Sequence, residues 1–137
     1  VALTEVQLMA NRRAEESAEQ PPFTARRTRY RDDLYVVTVT GELDLRTAPE
    51  LARVMRGELP PVLVADLTRV TFLSAAGLRV LVDTAQRAGA AGRVLGLVAE
   101  GPLALRVLRM SGVAASIPTF ESLSDAVREL APKPDHA

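Results

Sequence analysis

The side chains of this sequence best suited to acid–base or nucleophilic work are Asp44, Asp66, Asp83 and Ser74, all near expected strand ends or helix starts. Carboxylates there would meet a ligand, because open α/β sheets bind ligands at the C-terminal edge of their strands. The same positions are where short oxygen-bearing side chains cap helices, which is their commoner use. Nothing reinforces the catalytic reading. The chain has no cysteine, so thiolate nucleophiles, disulfides and Cys-ligated zinc are excluded, and its single histidine, His136, lies in a Pro-containing tail. The motifs GxxxxGK(S/T), GxGxxG after a strand, GxSxG and HExxH do not occur. The expectation is a protein with no catalytic residues, no metal and no cofactor.

Seventeen Lys and Arg balance seventeen Asp and Glu. A formal charge of zero gives no general attraction to polyanions, so direct nucleic-acid binding is not expected. Arg27, Arg29 and Arg31 alternate with Thr28 and Tyr30, as on one side of a strand. The reading is a solvated edge face, charged against aggregation, in preference to a nucleic-acid patch. The longest apolar runs, such as Val62–Ala65 and Val94–Val98, are far shorter than the ~20 residues that span a bilayer. No secretory signal pattern is seen at the N-terminus. Membrane insertion is not expected, and a cytoplasmic location is.

These side chains need elements to hold them. Residues 1–22 read as a polar arm closed by Pro21-Pro22, in which Leu3, Val6, Leu8 and Met9 suggest either a loosely ordered leader or a short amphipathic turn that docks or makes a homodimer. Residues 132–137 read as a frayed tail, leaving residues 23–131 as the folded unit. Leu34–Thr40 is rich in β-branched and aromatic residues and predicts a strand, with residues 23–30 as its edge partner. Thr47-Ala-Pro-Glu50 has the form of a capping box, and Leu51, Met55 and Leu59 extend an apolar stripe from it, so a helix is expected to about Leu59.

Val62–Ala65 reads as a buried strand, followed by a loop over 68–74. Leu78, Leu81, Val82 and Ala85 then predict a helix from about 75 to 88 that stops near Gly89. Val94–Val98 repeats the buried-strand pattern. Pro102 opens a third helix that Gly112 closes, a short strand follows, and Ser122-Leu-Ser-Asp125 caps a last helix. The alternation predicts an α/β layer structure with a mixed, mostly parallel sheet of four to five strands and about four helices.

The segment from Asp66 to Leu78 passes from a buried strand into a helix that starts with Ser74-Ala-Ala-Gly77. Ser74 as N-cap would bond the amide of Ala76 or Gly77, and glycine in a first turn costs stability, which suggests that something approaches the backbone closely. Here the sequence resembles the STAS domain, specifically the bacterial anti-sigma factor antagonists, over about residues 23–131. The resemblance is carried by Val39-Thr-Gly-Glu-Leu-Asp44, the Thr47 helix start, Val64-Ala-Asp-Leu67, Val70-Thr-Phe-Leu-Ser-Ala-Ala-Gly-Leu78 and Phe120-Glu-Ser-Leu-Ser-Asp-Ala-Val127.

The resemblance implies a STAS-type single domain without enzymatic activity, acting in transcription regulation. It would bind an anti-sigma factor with an ATP-binding serine-kinase fold and so release a sigma factor. The family pattern of the loop is Asp-Ser-Ser/Thr-Gly-Leu, with the first Ser phosphorylated to turn binding off. A gapless alignment on Gly77-Leu78 puts Ser74 at the Asp and Ala75 at the phosphoacceptor, so the usual off-switch should be missing. Ser74, one residue away, is the alternative acceptor and otherwise a plain cap. The docking face implied is Asp44, Arg46, Thr47, Ser74, Ala75, Ala76, Gly77 and Arg79. Two other readings stay open: a STAS accessory subunit of a lipid-transport ABC system, and a nucleotide or small-ligand sensor or weak hydrolase using a crevice at Asp44, Asp66 and Ser74.

Overall fold

In a computed structural model of the chain, residues 22–130 are described. Most of the expected arm, and the tail with His136, lie outside them. Strands β1 (Thr24–Arg31) and β2 (Leu34–Leu43) form an antiparallel hairpin. Helix α1 (Ala48–Met55) leads to β3 (Val62–Leu73), α2 (Ala75–Ala90) to β4 (Val94–Val98), and α3 (Pro102–Met110) with the single turn α4 (Val113–Ser116) to β5 (Thr119–Phe120); α5 (Leu123–Leu130) follows. The five strands lie in sequence order, and every pair after the first is parallel. This is the α/β architecture that the alternation of patterns predicts.

Period-two alternation sorts the strands onto two faces. Val37, Val39, Leu63, Ala65, Leu67, Leu95 and Leu97 point to one side, where Leu51 and Met55 of α1, Leu81 of α2, Leu108 of α3 and Val113 of α4 close a core. Leu34, Val36, Val62, Val64 and Val98 point to the other, and only α5, through Ala126, packs there within the described residues. Removing apolar surface of this kind from water contributes about 25 cal/mol per Å², so the four-helix side holds most of the stabilisation.

Several boundaries differ from expectation. Helix α1 ends at Met55 and does not reach Leu59. The Arg27 guanidinium donates to the Glu58 carbonyl and stands beside Gly57, in the space a further turn would take. Arg27 is thus not part of a solvated row: it is half-buried and lies over the Tyr35 ring, 5.3 Å from its centroid. Arg29 and Arg31 pair with Asp32 and Asp33, and a register shift between them breaks the alternation. The Thr47–Glu50 capping box does not form: Glu50 pairs with Arg53 at 2.6 Å, and the Thr47 hydroxyl turns back to β2.

Strand β3 is the largest departure. The expected loop from Thr68 is strand as far as Leu73, because Arg69, Val70, Phe72 and Leu73 pair with Thr40, Gly41, Glu42 and Leu43 across two register shifts. Helix α2 runs past Gly89 to Ala90, and the left-handed residue after it is Gly92. The last cap forms as expected: the Ser122 hydroxyl accepts the Asp125 amide at 3.1 Å.

Candidate functional site

Both segments singled out in the sequence leave the sheet at its C-terminal edge and are stitched together there. The Ser74 amide donates to the Leu43 carbonyl at 2.9 Å, joining the end of β3 to the end of β2. Between β2 and α1, the Asp44 carboxylate accepts the amides of Arg46 (2.9 Å) and Thr47 (3.1 Å), and the Asp44 carbonyl accepts the Ala48 amide (2.8 Å). The Thr47 hydroxyl accepts the Asp44 amide (2.9 Å) and donates to the Glu42 carbonyl (2.7 Å). The Asp44 carboxylate therefore holds the two amides that precede the helix, in the manner of an Asx turn, while the Thr47 carbonyl accepts the Glu50 amide at 3.0 Å and its hydroxyl caps nothing. Arg46 and the exposed Leu45 are held out from this rigid loop.

Electrostatics fix the charge of that turn. Partial desolvation pulls the Asp44 pKa upward, but the Thr47 and Arg46 amides, the Arg46 guanidinium at 3.6 Å and the Thr47 hydroxyl together outweigh it, and the carboxyl titrates below its ordinary range. A depressed folded pKa adds stability above the unfolded value of about 3.9 and loses it as pH falls through the folded value. Asp44→Ala should accordingly lower the urea midpoint at pH 7, with the gap to wild type narrowing below about pH 4. Midpoints measured from pH 7 to pH 2 check this. A gap independent of pH would show that the carboxylate charge plays no part.

In α2, Ser74 has the extended backbone of an N-cap (φ −98°, ψ 171°), but its hydroxyl caps nothing. The Oγ is buried and without a hydrogen-bond partner, against the expectation that it would bond Ala76 or Gly77. Ala75 is exposed, Ala76 half-exposed and Arg79 exposed, so the first turn presents methyl groups and backbone to solvent. Gly77 is turned inward. A Cβ built on it would overlap Leu43 Cγ and lie 2.7 Å from Cδ2, so the close approach that its presence suggests comes from the chain's own core.

The three carboxylates do not converge. Asp66 is engaged by the Thr68 amide (3.0 Å) and hydroxyl (2.7 Å), on the sheet face opposite α2. Asp83 lies two turns along α2 and lines a small groove with Arg87 of the same helix and Arg56 at the end of α1. A groove of about 480 Å³ does open beside Ser74, but Val70–Leu73, Glu100–Ala104 and Val107 line it and neither Asp44 nor Asp66 reaches it. No cluster of metal-ligating side chains is found among the described residues, and no helix there is long and apolar enough to cross a membrane. What this edge offers instead is apolar: Leu45 (79% exposed), Phe72 (55%) and Leu103 (79%). Sequence reasoning missed this patch, although Leu45 and Phe72, large apolar side chains in segments read as loops, were a visible signal; Leu103 lies in the expected third helix, where nothing marked it as exposed.

The family model described as the STAS domain matches residues 25–126. The anti-sigma-F factor antagonist RsfB of Mycobacterium tuberculosis is 34% identical over 96 residues, covering 67% of this chain and 77% of that protein. The crystal structure of an anti-sigma factor antagonist from Mycobacterium paratuberculosis superposes with a TM-score of 0.74 at 32% identity, over 82% of this chain and 99% of that one. SpoIIAA of Bacillus in its phosphorylated form superposes with a TM-score of 0.62 over 78% of this chain and 99% of that one; at 14% identity it shares the fold.

Proposed function

This chain belongs to the STAS domain family, and on that premise we propose that it is an anti-sigma factor antagonist without chemistry of its own. It binds, in the cytoplasm, an anti-sigma factor with an ATP-binding serine-kinase fold, and so frees a sigma factor. The docking face is Asp44, Arg46 and Thr47 with Ser74, Ala75, Ala76 and Arg79, and Gly77 sets its height by packing on Leu43. The observation that carries the reading is the first turn of α2, which holds exposed methyl groups and backbone beside the Asp44 loop in a chain whose named relatives are antagonists; Ala75 is the residue that the gapless alignment on Gly77-Leu78 sets at the family's acceptor position.

A phosphate there adds about 1.5–2 negative charges, enough to repel an acidic docking surface. Ala75 cannot receive one. Ser74 is no substitute, since its buried Oγ gives a kinase nothing to approach. The protein acts as a permanently unmodified antagonist. Incubated with its kinase-type partner and ATP and mapped by mass spectrometry, the chain should carry no phosphate on Ser74; phosphate there would overturn the unswitched reading. Affinity capture from the host should recover an ATP-binding anti-sigma factor, and adding the chain should release the sigma factor from it. Recovery of an ABC-type nucleotide-binding subunit instead would reassign the protein to transport.

A further inference from the structure

Helix α3 turns an apolar stripe outward. Leu103, Arg106, Val107 and Met110 stand at i, i+3, i+4 and i+7, the spacing of one helix face. Leu108, the fully buried residue of the helix, lies on the other side, and Leu103 and Met110 are exposed although their spacing is that of a core face. The stripe borders the groove beside Ser74, which Leu103, Ala104 and Val107 line together with Val70–Leu73 of β3. Strand β4 pairs with β3 only as far as Asp66–Val98, so from Leu67 to Leu73 the edge of β3 turned away from β2 has no strand partner among the described residues. Within the stripe, Arg106 Nε donates to the Met110 sulfur at 3.5 Å, and Arg106 makes no ion pair among the described residues.

We propose, resting on the antagonist reading above, that this groove and stripe take an apolar segment of the anti-sigma factor that carries a carboxylate for Arg106. The groove is continuous with the docking face: its β3 side ends at Leu73, and Ser74 and Ala75 follow directly, so one partner covers both. Charge selects an acidic partner. Helix α3 holds two arginines, Arg106 and Arg109, and no acidic residue, so a second copy docked α3 on α3 would set like charges against each other as water leaves. A carboxylate-bearing surface suits Arg106 as it suits the start of α2, a positive helix end with no acidic residue in its first turn. The unpaired β3 edge selects polypeptide over lipid, because a strand edge is completed by the amides and carbonyls of another chain, which a bilayer does not offer. Glu100, at the groove rim, would also repel an anionic membrane.

Calorimetric titration of the full chain against the captured anti-sigma factor tests this. Leu103→Asp should weaken binding by about tenfold or more, the loss of an apolar anchor at an interface. Arg106→Gln should weaken it by about fivefold at low salt, and the gap should close at high salt as the charges are screened. Arg109→Gln removes the same charge from the same helix outside the stripe and should change binding little. All three side chains are exposed, so the core is untouched and the urea midpoints should hold. Wild-type affinity in both Leu103→Asp and Arg106→Gln, or equal losses from the two arginine changes, would overturn the proposal and leave the antagonist reading standing. A wild-type chain that dimerises through Leu103, or that sediments with phosphatidylglycerol vesicles through it, would overturn it too, since the occupant would then be a second copy or a lipid surface. Failure to capture any anti-sigma factor, by contrast, ends the antagonist reading and this occupant with it.

Discussion

Ala75→Glu is expected to weaken capture of the kinase-type partner by about a hundredfold, equivalent to about 2.7 kcal/mol, while leaving the domain folded. The side chain is exposed and contributes no core contact, so the substitution opens no cavity. It stands in the first turn of a 16-residue helix with no acidic residue there, where a carboxylate gains about 0.3–1 kcal/mol from the helix dipole. The urea midpoint should therefore hold or rise, and loss of binding cannot be assigned to unfolding. Like charges forced together at an interface cost several kcal/mol, which sets the size of the effect. Ala75→Ser runs the test in reverse: it restores a hydroxyl at an exposed position, and binding should become sensitive to ATP and the partner's kinase activity. Titration calorimetry before and after incubation with ATP measures both. Undiminished affinity of the Glu variant would remove the first turn of α2 from the docking face.

This site was legible in the sequence to different depths for identifiable reasons. The alternation of β-branched runs with stripes at helical spacing reports burial, which is a property of each element alone, so β2, α2, β4 and α5 appear close to where the patterns place them. The long β3 was not legible past Asp66. Its second half, Thr68 to Leu73, is half-exposed and paired on one side, and it owes its extended form to β2 through two register shifts that no local pattern encodes.

Capping failed for a related reason. Thr47 and Glu50 have the residue types of a capping box, but the hydroxyl has a better use 2.7 Å from the Glu42 carbonyl and the carboxylate a better partner in Arg53. Competition among partners at a strand-to-helix junction is settled by tertiary geometry. The resemblance in the 39–44 and 70–78 segments pointed, without that geometry, to two stretches that meet at one edge of the sheet. It could not tell that Gly77 points inward or that Ser74 is sealed.

The inward glycine carries the second large effect. Gly77→Ala replaces a residue that costs a helix roughly 0.5–1 kcal/mol relative to alanine, so at an open site the change would stabilise. Here the new methyl meets the branched end of Leu43, which is fully buried and anchored at the end of β2. Overpacking of this kind costs about 1–3 kcal/mol, so the net expectation is a loss of about 1–2 kcal/mol.

The separation of α2 from β2 must also grow, which displaces Ser74 and Ala75 and should weaken partner binding beyond what lost stability explains. A double-mutant cycle isolates the cause. Leu43→Ala alone should cost about 2–5 kcal/mol as a cavity; in that background Gly77→Ala should turn neutral or stabilising, because the alanine methyl enters space the leucine has left. The coupling between the two changes is then favourable and within the roughly 0.5–3 kcal/mol seen for residues in contact. Denaturant midpoints of the four proteins decide the matter. Should Gly77→Ala stabilise the otherwise unaltered chain, the packing of α2 on Leu43 is looser than drawn, and the height of the docking face is set by something else.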